Sequence, residues 1–97
     1  MKNFFEKNGY NEMAKETLKK WGNLAEVFML FEEMAEFQKE ICKNINRKAE
    51  NVKEITEEMG DVIIVLEQMR VLFGINDDDL QKTIDYKVNR LKGLLEK

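Results

Sequence analysis

Apolar residues return every three to four positions through most of this chain, and the pattern breaks at Gly22, at residues 46–50 and at Gly74. The period predicts four helices, over 11–21, 24–45, 52–73 and 77–96, rather than strands. Gly9, Gly22 and Gly74 punctuate the segments. Gly22 and Gly74 stand where a left-handed residue would end the first and third helices. Asn23-x-x-Glu26 and Asn51-x-x-Glu54 have the spacing of capping boxes, and Asn76-x-x-Asp79 is a weaker version. The two central helices, each about 22 residues, rise roughly 33 Å and are joined by a short polar link, so they are expected to form an antiparallel hairpin. The expected architecture is a single all-α domain over 1–97, bundle-like, without repeats or linkers.

Charges interrupt the apolar stripes in a repeated way. In the second helix, steps of three or four residues from Glu33 land on Leu30 and Phe37, and Glu36 lies one turn further on. In the third, Glu58 has Ile55 before it and Val62 after it, while Asp61 is at i+3 from Glu58 and has Val65 at i+4. Glu32 and Glu57 immediately precede the two motifs. Gly60 weakens its own helix by about 1 kcal/mol relative to Ala, which predicts close approach of another backbone or of a ligand. A single such glutamate is most simply a solvated side chain with a Lys or Arg partner. Two pairs embedded alike in two apolar stripes instead call for a shared positive charge, because like charges at i,i+3 repel and unpaired buried carboxylates are costly.

Composition narrows what that charge is. The chain has no His and one Cys, which removes His-dependent nucleophile systems, His-ligated zinc, Glu-x-x-His di-iron sites and internal disulfides. All-oxygen coordination suits magnesium, with manganese able to substitute. The 16 Lys plus Arg against 19 Asp plus Glu, net −3, argue against a partner of the nucleic-acid polymer kind. No apolar run approaches the roughly 20 residues that span a bilayer, and the start, Met1 to Gly9, lacks the apolar core of a secretion signal. The expected location is the cytoplasm, with no membrane partner. Cys42, on an apolar helix face, is expected to be a buried small hydrophobe.

The last helix carries the stripe Leu80, Ile84, Leu91 and Leu94, completed by Lys87, with Arg90 on the adjoining turn. Lys87 also fits simple snorkelling out of a bundle. Beside an acidic metal site, Lys87 and Arg90 suit a polyphosphate, and Asn89 adds a directional hydrogen bond. Trp21 and Tyr86 are candidates for stacking on a base, with packing at a helix end as the alternative.

Glu32-Glu33-x-x-Glu36, then 21 residues, then Glu58-x-x-Asp61 resembles the signature of the MazG-like all-α nucleoside triphosphate pyrophosphohydrolases. Trp21-Gly22 before the first motif and the Lys87, Asn89 and Arg90 group after the second add to the likeness, which covers about residues 15–92. The resemblance implies a four-helix MazG fold, assembled as a homodimer or dimer of dimers. It also implies cleavage of a nucleoside triphosphate to monophosphate and pyrophosphate. Magnesium would be held by Glu33, Glu36, Glu58 and Asp61. Glu32 and Glu57 would support those ligands or, in one case, take a proton from water. Phe28, Phe31 and Phe37, spread over a wide arc of the second helix, independently favour assembly. Val62-Ile63-Ile64-Val65 after the second motif departs from the aromatic-His pair of phosphoribosyl-ATP pyrophosphohydrolases, and the chain lacks the extra helices of dimeric dUTPases. Base preference is left open. Two other readings stand beside this one: a non-enzymatic helical interaction module, and a sensor that binds nucleotide without cleaving it.

Overall fold

The computed structural model describes residues 10–97, which fold as α1 (Tyr10–Trp21), α2 (Asn23–Arg47), α3 (Val52–Leu72) and α4 (Asp77–Leu95), with no strand among them. The break expected at Gly9 and the reading of the first nine residues as lacking a secretion signal fall outside the described residues. The helix ends lie within two residues of those the pattern predicts. No helix among the described residues is long and apolar enough to cross a membrane.

The breaks arise from backbone conformations that few residues adopt. Gly22 (φ 89°) and Gly74 (φ 66°) take positive φ after α1 and α3, as expected of glycines at these positions. Lys48 ends α2 in the left-handed conformation, φ 52° and ψ 36°, with its N–H donating to the Lys43 carbonyl. Only the weakest of the three expected caps forms, the Asn76 side chain accepting from the Asp78 N–H at 2.7 Å. Asn23 instead lies inside α2, whose cap position is Gly22, and Glu26 makes no capping bond. Asn51 stands at the start of α3 without capping it: Oδ1, the atom that would cap, accepts from Asn44 Nδ2 at 3.2 Å, and Nδ2 donates to the Glu40 carbonyl at 2.8 Å and to Glu40 Oε1 at 3.1 Å. Asn44 donates to Asn51 Oδ1 and to the Ala49 carbonyl, and Lys43 Nζ meets Glu40 Oε2 at 3.0 Å. This network closes the antiparallel α2–α3 hairpin at its turn.

α1 packs mainly on α3 and less on α2, while α4 packs appreciably on none of the three. Arg70 ties the open end together. It makes two hydrogen bonds to Glu67, at 2.6 and 2.9 Å, reaches Asn11 of α1 at 2.9 Å and the Ile75 carbonyl at 2.7 Å, and meets Asp77 at the head of α4 at 2.9 Å. Glu67, 1% exposed, is thereby paired inside the bundle. Among the described residues the buried apolar side chains are Ala14, Val65 and Met69, a thin core for three packed helices.

One expectation fails here and another narrows. Cys42 is exposed, because the face of α2 turned to α3 runs through Glu33, Phe37, Glu40 and Asn44, and Cys42 lies off that line beside Lys39, Lys43 and Arg47. Gly60 has nothing within 4 Å of where a Cβ would stand, so among the described residues no other backbone approaches it, and of the two expected reasons for this glycine only a ligand is left.

Candidate functional site

Glu26, Glu33 and Glu40 recur every seven residues and so share one side of α2, the side that faces α3. The antiparallel pairing gives each a different neighbourhood. Glu40 meets the turn and is paired there with Asn51 and Lys43. Those two bonds hold its carboxyl below the usual range. Glu26 meets Val65 and Gln68 near the other end. Between them, Glu33 comes up against the second acidic motif.

There, Glu33, Glu58 and Asp61 each place a carboxylate oxygen within 4.8 Å of the others. Glu33 and Glu58 are half-buried and Asp61 is exposed. Burial pushes the Glu33 carboxyl above its ordinary value, and Asp61 and Glu58 push it further, Asp61 also sharing a hydrogen bond with it. Glu58 is raised by burial first, then by Asp61, Glu36, Glu40 and Glu57. No Lys or Arg forms an ion pair with any of the three among the described residues. These three carboxylates are thus converged, and none of them is paired with a cationic side chain among the described residues. Hard, anionic oxygen donors of this kind are the ligands that divalent cations of the magnesium and calcium class take.

The remaining candidates lie further out. Glu36 is exposed and outside the three-residue group, since i+3 on a helix turns it about 60° from Glu33. It is still near enough to raise Glu58. Glu32 and Glu57 are exposed and act on Glu33 and Glu58, respectively, as repelling charges. Lys87, Asn89, Arg90 and Tyr86 are exposed on α4, and because that helix is not packed on the bundle, the single chain does not bring them to the carboxylates. Trp21 is exposed at the end of α1, with Lys20 Nζ 5.0 Å from its ring centroid.

Sequence reasoning missed Glu26, Glu40, Glu67, Gln68 and Arg70. The seven-residue recurrence of Glu26, Glu33 and Glu40 was the available signal for the first two. For Glu67 and Arg70 the i+3 pairing was visible, but their burial was not. Comparison of the chain with protein-family models, with curated proteins and with solved structures finds no match.

Proposed function

We propose that the protein is a divalent-cation-dependent nucleoside triphosphate pyrophosphohydrolase of the MazG-like all-α type, serving the cytoplasmic nucleotide pool as a homodimer or dimer of dimers. The observation that carries this reading is the convergence of Glu33, Glu58 and Asp61 without a cationic side chain to neutralise them among the described residues. Magnesium, or manganese in its place, would polarise the phosphoryl oxygens and make a bound water more acidic. Glu33, Glu58 and Asp61 would hold it, with Glu36 as the fourth ligand. Glu32 and Glu57 would support those ligands, or one of them would take the proton as water attacks the α-phosphorus in line and pyrophosphate departs on the opposite side. Lys87, Arg90 and Asn89 neutralise and orient the phosphates. Since α4 is free of its own bundle, these groups are available to the acidic face of a second copy.

The test is to incubate the purified protein with magnesium and a panel of common and damaged nucleoside triphosphates and to identify the products. Monophosphate and pyrophosphate in equal amounts, lost in Glu58→Gln, are expected. Release of orthophosphate alone, or turnover that Glu58→Gln leaves intact, overturns the proposal. The exposed Leu24, Phe28 and Phe31 on α2 also favour the interaction-module reading. That reading expects no thermal response to magnesium, whereas a cation bound only by the folded state adds about 2.7 kcal/mol at a hundred times its Kd. Product analysis in turn separates an enzyme from a nucleotide sensor.

A further inference from the structure

Where α1 ends and α2 begins, both helices face the C-terminal half of α3 across a cleft of about 390 Å3 lined by Trp21, Ala25, Glu26, Met29, Val65 and Gln68. The size falls within the range of small-molecule pockets, and so does the composition, apolar and aromatic walls with a few polar groups. Both polar groups are acceptors without partners. Glu26 is 5% exposed and has no hydrogen bond or ion pair among the described residues. Gln68 is 8% exposed, and its amide orientation follows from Thr17. The Thr17 hydroxyl donates to the Ala14 carbonyl at 2.9 Å, so its oxygen is left to accept from Gln68 Nε2, at 3.2 Å. That turns Gln68 Oε1 away from Thr17, buried and unpaired.

Glu26 thus sets an unpaired carboxylate on the wall of the cleft, an unfavourable placement that a ligand bringing donors to it would relieve. Its position says what else the ligand carries. Glu26 precedes Glu33 by seven residues on the same face of α2, about 10 Å along the axis. A molecule with a flat ring at one end and phosphates at the other would span the cleft and the carboxylate group. We propose that the cleft is a nucleobase pocket that selects a ring presenting two adjacent N–H donors, as guanine does with its ring N–H and neighbouring amino group. This rests on the reading of the protein as one that acts on nucleotides. The two oxygens of Glu26 match that pair of donors. Adenine and cytosine set an acceptor beside their amino group, and uracil and thymine flank their N–H with two carbonyls, so each turns at least one oxygen toward a repelling lone pair.

Trp21 is the chain's one tryptophan, so fluorescence excited beyond the tyrosine absorption band reports on this cleft. The full chain is titrated with GMP, AMP, CMP and UMP in the presence of a chelator, which separates base binding from metal-dependent turnover. GMP is expected to quench the fluorescence saturably and to bind about tenfold or more tightly than the other three, the discrimination that a two-bond contact to a base supplies. In Glu26→Gln one acceptor becomes a donor, and the advantage of GMP over AMP is expected to vanish. The variant's melting temperature should not fall, because it loses an unpaired buried charge. Equal quenching by all four nucleotides, no quenching by any, or a guanine preference that survives Glu26→Gln overturns the proposal. Base-indifferent hydrolysis of triphosphates also overturns it while leaving the pyrophosphohydrolase reading intact. Guanine-selective quenching in a protein that hydrolyses nothing supports the pocket and removes the enzyme.

Discussion

Glu33 is the residue on which the acidic group turns, since it alone supplies the α2 side of the cluster. In metal-free protein its folded-state carboxyl titrates above the ordinary value of 4.5, so the folded state holds the proton to higher pH than the unfolded chain does. Stability therefore falls as pH rises from about 4.5 through the raised value, and the loss is complete above it. Glu33→Gln is expected to raise the melting temperature by a few degrees at neutral pH without divalent cation and to flatten that pH dependence in thermal scans. With saturating magnesium the order should reverse, the native protein melting higher. Arg70 poses the opposite case, a charge already answered. Arg70→Met leaves Glu67 buried and alone, and is expected to cost about 3–5 kcal/mol by urea unfolding.

At the scale of elements, the α2–α3 hairpin sets the register on which the site depends, and its turn holds both a strength and a strain. The strength is the Glu40 carboxylate bound by Asn51 and Lys43. Its lowered pKa means a stabilisation present above the ordinary carboxylate range and lost as pH falls through the depressed value, opposite in sign to Glu33. The strain is Lys48, an L-residue in the left-handed region. Lys48→Gly relieves a conformational cost of roughly 1–2 kcal/mol, partly offset by the freedom glycine gains when unfolded. The expected net gain is about 1 kcal/mol, a rise in melting temperature of about 4–8 °C for a domain of this size.

For the whole molecule, the distribution of apolar surface matters more than its amount. Hydrophobic residues make up 43% of the chain, yet Leu24, Phe28, Phe31, Leu91 and Leu94 all stand more than half exposed on α2 and α4. A core whose buried apolar members among the described residues are Ala14, Val65 and Met69 leaves little stability in hand once chain entropy is met. Association through these faces is the expected remedy. Sedimentation equilibrium should give a dimer or tetramer, and the melting temperature should rise with protein concentration. A concentration-independent melt at the mass of one chain would contradict the proposed assembly.

The number, type and limits of the helices were determined by the sequence alone, because the 3.6-residue period and the glycine breaks at Gly22 and Gly74 are local properties of the chain. The same period marked Glu33, Glu58 and Asp61 as misplaced charges, since an acid within an apolar stripe is visible without any knowledge of its partner. What the period could not carry is which side of a helix finds a neighbour. The rotation of α2 against α3 put Cys42 in solvent, Glu36 outside the acidic group and Glu26 in a cleft. Asn51 was diverted from a cap to Glu40 for the same reason. Acceptors and donors on a facing helix, Glu40 and Asn44, orient a side chain that local spacing assigns to the backbone, and only the packed pair of helices decides between the two arrangements.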